Sequence, residues 1–362
     1  MPNRTLSLKS LNRTTLDRQL LLKRHDMPIK QAIDHLIGLQ SQIPNPPYIG
    51  LWVRLQNFEK ADLTTLIETH EVVRAAMMRS TLHLVTTEMH QHIQVTIQPA
   101  LEKAYRSFFG KDRKQIDIET VITAAEPYLT QEARSTGELK AYLATIIPDV
   151  NPDALAYAVR TYLPLVQVPP AGTWGTGTRA TYVPAKKTFA DADLKALFKQ
   201  YIAAFAPASV MDFQAFVGIT NLKKTIEAWQ DEFILYEHPT NGRTLYDLPD
   251  AEIISEDAPV PIIFLPEYDN AVISYKDRDH ILPDEHHKKV FLSAARVLAT
   301  ILIDGFVAAT WKTERNKDDA ILRISLFEPI SSDAKDAIRV DGEKLLKFIE
   351  DDADNYQIIF DE

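Results

Sequence analysis

Val72-Val73-Arg74-Ala75-Ala76-Met77, then Met78-Arg79-Ser80, then Thr81-Leu82-His83-Leu84-Val85, is the stretch whose reading decides the fold. Two β-prone runs separated by three residues predict a hairpin. Upstream, apolar residues recur at helical spacing (Leu16, Leu20 and Leu21; Ile33, Leu36 and Ile37). They predict helices over 15–25 and 29–39, with two more over 47–56 and 61–70. Helices that run into a two-stranded ribbon follow the plan of a winged helix, a variant of helix-turn-helix. A long helix over 88–108 leads out of this unit into a charged linker, residues 110–114.

The same order recurs twice. Helices over 118–128, 136–147 and 152–162 precede a strand over 163–168, the turn-rich Pro169-Pro-Ala-Gly-Thr-Trp-Gly-Thr-Gly177, and a returning strand over 179–183. Helices over 191–205, 209–217 and 221–230 follow. Ser209 is placed to cap the second of these, with Asp212 three residues on. Phe233-Ile-Leu-Tyr236 and Thr244-Leu-Tyr-Asp-Leu248 flank an Asn241-Gly242 turn, a strong hairpin signal. Beyond Pro259 the character changes. Segments 260–265 and 297–303 are apolar enough to be buried strands, Asp304-Gly305 turns into a further strand at 306–311, and 320–326 and 332–351 read as strand and helix. The expected fold is α+β: tandem winged-helix units over 1–114, 115–186 and 187–258, closed by an α+β domain over 259–362.

Composition narrows the function classes. Hydrophobic residues make up 45% and charged residues 25% of 362, as in ordinary soluble domains, and no apolar run is long enough to span a bilayer. The N-terminus lacks the apolar core of a signal peptide, so a cytoplasmic location is expected. The absence of cysteine rules out disulfides, zinc-thiolate sites and thiol nucleophiles. The net charge of −10 is unevenly spread. Residues 1–114 hold 16 Lys+Arg against 10 Asp+Glu, while 331–362 hold four against ten. Such polarity suits a protein with one face for a polyanion, although a bias of this size also occurs by ordinary scatter.

Gln40-Ser41-Gln42 stands out as chemistry. Pro44 pushes Ile43 out of the helical region, so the pair is expected at the end of the helix over 29–39. Two amides that each accept and donate can hold a water in one orientation. In isolation, two nearby glutamines are more often solvated surface or a cap. Basic residues Lys9, Arg13, Arg18, Lys23 and Arg24 recur along the first helix and its approach, as phosphate contacts do, or simply as a solvated face. Arg79 and His83 flank the first hairpin turn. Trp174 either touches a ligand from the second wing or anchors it. His90-Gln-His92 and His286-His287 lack a His-Glu-x-x-His spacing, so no metal or cofactor is expected. Glu267 and Asp269 alternate at a strand end as an acid–base pair would, or as structural hydrogen-bonding groups.

Five segments taken in order carry a resemblance: Gly38-Leu-Gln-Ser-Gln42, Met78-Arg-Ser-Thr-Leu-His-Leu-Val85, Pro207-Ala-Ser-Val-Met-Asp-Phe213, Leu265-Pro-Glu-Tyr-Asp-Asn270 and Asp304-Gly-Phe-Val-Ala-Ala-Thr-Trp311. Over nearly its whole length the chain resembles the winged-helix superfamily of AlkZ-type (YcaQ-like) DNA glycosylases. The resemblance implies a monofunctional glycosylase that removes alkylated purines, including crosslinked ones. Gln40 and Gln42 would occupy the catalytic Gln-x-Gln positions, and Lys9, Arg13, Arg18, Lys23, Arg24, Arg79, His83 and Trp174 are the candidates for DNA contact. The partner would be double-stranded DNA carrying alkylated bases, met by a monomer. The chain departs from the family's pattern at Ser80, where glycine is usual, and at His280, where a second arginine is frequent. A non-catalytic winged-helix regulator, or a protein-binding scaffold, is the alternative.

Overall fold

The computed structural model describes residues 4–186 and 188–361. The expected hairpin is there. Strands Val72–Ala76 and Leu82–Thr86 pair antiparallel, with Val73 opposite Val85 and Ala75 opposite His83. Their turn is tight: Arg79 (φ 57) and Ser80 (φ 59) are both in the left-handed region, which costs side-chain-bearing residues energy. Packing enforces it, because the Arg79 backbone lies against Gly218, where an added Cβ would stand 3.0 Å from the Arg79 Cα.

The segment before the glutamines departs from expectation. Helix Ile29–His35 stops early, because Ile37 (φ 54) and Gly38 (φ 81) turn the chain left-handed and the Gly38 amide donates to the Ile33 carbonyl. Leu39–Gln40 is then a strand, antiparallel to Leu82–Thr86, with Gln40 opposite His83. The first helix also shifts, to Leu8–Arg18, because the Ser7 hydroxyl caps it and Leu20 (φ 60) ends it.

The hairpins are not separate beads. Leu39–Gln40, Leu82–Thr86, Val72–Ala76, Leu165–Gln167, Thr181–Pro184 and Arg134–Ser135 form one six-stranded sheet, joined across the first and second units at Ala75 opposite Val166. The chain's first strand, Arg4–Thr5, runs parallel to Ile234–Glu237 of the third unit's hairpin. The helix after it also docks there, with Gln19 donating to the Ala204 carbonyl. A five-stranded sheet closes the chain: Ile263–Leu265, Thr300–Ile303, Phe306–Asn316, Asp319–Leu326 and Asn355–Phe360. Its last strand, parallel to its neighbour, was not expected.

Helix Thr87–Phe108 is the spine. Met89, Ile93, Ile97, Leu101 and Tyr105 recur every fourth residue on its buried face, which carries it from the first unit's sheet to Tyr157 of the second, stacked on Tyr105. Helices Leu194–Phe205 and Val210–Val217 place Phe198, Tyr201, Phe205, Phe213 and Phe216 in one aromatic cluster against Ala75, Val85 and Ile97. Each such side chain contributes about 2–3 kcal/mol on burial, so the third unit and the first share a core. Ser209 and Asp212 form the expected capping box. Among the described residues no helix is long and apolar enough to cross a membrane.

Candidate active site

The strand carrying Gln40 is fastened from three sides. Gly38 has no alternative residue: a Cβ would lie 2.5 Å from Val85 Cγ1 and 3.0 Å from the Leu84 carbonyl oxygen. From the C-terminal domain, the buried Asn270 amide donates to the Leu36 carbonyl at 3.1 Å and the Gly38 carbonyl at 2.8 Å. Its neighbour Asp269 is held by Arg54 in a buried two-bond pair, 2.8 Å each. On the other side Arg74, within the hairpin, donates to the Ser41 carbonyl at 2.7 Å, the Gln42 carbonyl at 3.0 Å and Gln167 Oε1 at 2.7 Å. The Ser41 amide continues the ladder, donating to the Leu82 carbonyl at 2.8 Å.

This backbone decides where the amides go. Gln40 ends the strand and Gln42 follows in a bend, so neither sits on the expected helix. Gln40 Oε1 accepts from Arg79 Nη2 at 2.7 Å, while Arg79 Nη1 donates to the Phe216 carbonyl at 2.6 Å. A guanidinium only donates, so the contact fixes which end of the Gln40 amide is oxygen. Burial and the nearby Arg278 charge lower Arg79 to about 10, and it remains cationic at neutral pH. His83, opposite Gln40, is buried, and desolvation with the Arg79 charge pushes it down to about 3. It is therefore a neutral imidazole. Its Nδ1 lies 3.1 Å from the Thr81 carbonyl, to which it donates, and Nε2 is left buried without a partner.

Exposed Gln42 and Arg79 open onto a cleft of about 470 Å³ between the hairpin turn and the helices of the second unit. Arg134, Lys140 and Arg160 supply its positive charge, and Phe108, Tyr157 and Tyr182 its aromatic surface. Arg160 donates to the Ser80 carbonyl at 2.6 Å and lies over the Tyr157 ring. Phe108 is 71% exposed at the rim.

Residues 33–348 match the family described as DNA glycosylase AlkZ-like. The chain belongs to that family. No curated protein matches it in sequence. Among solved structures, the Streptomyces sahachiroi DNA glycosylase AlkZ is similar, with a TM-score of 0.76 at 15% identity over 99% of this chain and 100% of that one. The winged-helix-based α+β fold is thus shared with that structure.

For this AlkZ-like chain the other residues singled out in the sequence divide sharply. Arg13 is buried, bound to Asn12 Oδ1 and to the carbonyl and carboxylate of Asp304. Arg18 is tied to buried Asp247 at 3.1 Å, and Lys9 to Asp304 at 3.1 Å. All three tie the first helix to the third unit or the C-terminal domain; the charges of Arg13 and Arg18 are spent inside the fold, while Lys9 stays exposed. Lys23 and Arg24 are exposed, but they line a different cleft with Trp52, Phe264 and Asp341, where Arg24 lies 3.9 Å over Trp52. Trp174 packs edge-on to Tyr48 and Phe348 and serves as an anchor. Asp269 is consumed by Arg54, so Glu267 and Asp269 are not an acid–base pair. His90 is buried beside Phe189, away from any cluster of metal-ligating groups. Arg74, Asn270, Arg134 and Arg160 went unremarked in the sequence. Only Asn270 carried a signal, as the last residue of a segment resembling the family.

Proposed function

We propose that the chain hydrolyses the N-glycosidic bond of cationic alkylated purines in double-stranded DNA, with Gln40 and Gln42 orienting the attacking water. The observation that carries this reading is Arg79, which lines a cationic, aromatic cleft beside exposed Gln42 and fixes the Gln40 amide from behind it.

The chemistry follows from charge. An alkyl group on N7 or N3 makes the purine cationic and already a good leaving group, so no strong general acid is required. What remains is to hold a water against the oxocarbenium-like sugar and to exclude competitors. Amide oxygens present the negative end of a dipole to that developing charge without abstracting a proton as a carboxylate would. Arg134 and Arg160 are suited to flanking phosphates, and Phe108 and Tyr157 to stacking on bases or bulky adducts. The products are the free alkylated base and an intact abasic site. Lys140, which lines the cleft, is ion-paired with Asp153 rather than free for Schiff-base chemistry. The protein works as a monomer on one lesion.

The test is substrate choice. Duplexes carrying N7-methylguanine, uracil or a neutral oxidised purine are compared under single turnover. Release confined to the cationic base is expected; comparable release of uracil would refute the reading.

A further inference from the structure

A second cluster of chemistry lies where the third unit's hairpin meets the C-terminal domain. His238 follows strand Ile234–Glu237 at the start of the hairpin turn, and Asp279 and His280 follow the short helix Asn270–Ile273. One ligand atom from each lies within 4.8 Å of the others. The two histidines are 4% and 3% exposed.

Four polar atoms of this cluster are buried without a hydrogen-bond partner: His238 Nε2, Asp279 Oδ1, and both ring nitrogens of His280. Orphaned groups of this kind are rare and costly. The surrounding bonds say what they lack. A carboxylate only accepts, so the Thr240 hydroxyl donates to Asp279 Oδ2 at 2.6 Å. The Thr240 amide donates to His238 Nδ1 at 3.4 Å, and the Thr240 hydroxyl lies 3.1 Å from the same nitrogen. His238 Nε2 is left facing Asp279 Oδ1 at 3.3 Å without hydrogen-bond geometry. A divalent cation that displaced the Nε2 proton would satisfy both atoms together with His280.

We propose that His238, Asp279 and His280 form a site for a divalent first-row transition metal, with Zn²⁺ the fitting ion, which fastens the third winged-helix unit to the C-terminal domain. A charge-assisted N–H···O bond is about 2.7–2.9 Å long. Ligands about 2.0–2.1 Å from a tetrahedral zinc stand about 3.3–3.4 Å apart, the spacing of the His238–Asp279 pair, and His280 lies within 4.8 Å of both. Two imidazoles and a carboxylate are a donor set this class of ion takes. Thr240 orients both His238 and Asp279 from behind, as outer-shell partners of metal ligands do. Asp279 is partly exposed, which leaves a path for entry and a fourth position for water. The surrounding contacts serve the same junction: Asn241 and Arg243 bind Asp277, and Asn12 donates to the His280 carbonyl at 2.7 Å.

The test uses the full chain without an affinity tag, stripped with a chelator and passed through a desalting column after exposure to Zn²⁺. Bound zinc is measured by elemental analysis, and the melting temperature is followed against Zn²⁺ concentration. One zinc per chain and a melting temperature that rises and saturates are expected, both lost in Asp279→Asn and His280→Gln. Thr240→Val, which leaves every ligand in place, should weaken affinity about 10–100-fold. Glu328→Gln, in the separate group of exposed Glu285 and Glu328 with buried His286, should retain the metal. Wild type that takes up no zinc, or zinc uptake that survives both ligand variants, would overturn the proposal. Neither readout depends on glycosylase activity.

Discussion

Asn270→Ala removes a side chain through which the C-terminal domain holds the turn leading into the Gln40 strand. Asn270 is 2% exposed, and its amide satisfies two buried carbonyls, those of Leu36 and Gly38. Leaving a buried acceptor unsatisfied costs about 1–3 kcal/mol, so the variant should lose about 3 kcal/mol of stability, allowing for partial relaxation. The same loss frees the turn that aims Gln40. A misplacement of about 1 Å is sufficient to slow a positioned reaction about 100-fold, and the cleft residues that would meet phosphate are untouched. Urea unfolding gives the first quantity, and single-turnover release of N7-methylguanine alongside duplex affinity gives the others. The expected pattern is lower stability and much slower release at nearly unchanged affinity. Release at the wild-type rate from a destabilised variant would show that Asn270 holds the domains together without positioning the amides, and would refute the reasoning.

Three further outcomes follow from the same contacts. Gly38→Ala should cost about 2–4 kcal/mol, combining left-handed strain with the clash against Val85, measurable by calorimetry. His83 and His90 are held at about 3 and about 4 by burial, below the 6.5 of the unfolded chain. Between those values the unfolded state binds more protons, so stability is present above about pH 6.5 and falls as pH drops. At pH 5 the loss is about 2 kcal/mol for each group, and His83→Gln should remove part of it in urea unfolding at pH 7 and pH 5. Arg18→Ala leaves buried Asp247 unpaired and should cost about 3–5 kcal/mol without altering the salt dependence of DNA binding. Arg160→Ala should lower that slope by about 0.9; the reverse assignment would return the first helix to the DNA face.

Local chemistry made much of this fold legible. Helix Pro152–Tyr162, the Ser209 capping box and the Asn241-Gly242 hairpin lie where caps and turn residues put them. The errors have equally local causes. Gly38 reads as tolerable inside a helix until its left-handed φ makes it the stop that turns Gln40 onto a strand. Arg13 and Arg18 read as a basic face because their partners, Asp304 and Asp247, lie more than 200 residues away. No periodicity announces a pairing across that distance, and none announces Asn270 reaching Gly38 or His238 meeting His280. Gln40, Gln42 and Arg79 drew attention in the sequence; Arg74 and Asn270, which hold the backbone around the glutamines, did not.

The most direct test of the central claim is single-turnover release of N7-methylguanine from a duplex oligonucleotide by wild type, Gln40→Ala and Gln42→Ala, with DNA affinity measured in parallel. Release by wild type that falls at least about tenfold in each variant, about 1.4 kcal/mol of transition-state stabilisation, with affinity retained, is the predicted result. Equal release by all three proteins would contradict it and place the water elsewhere.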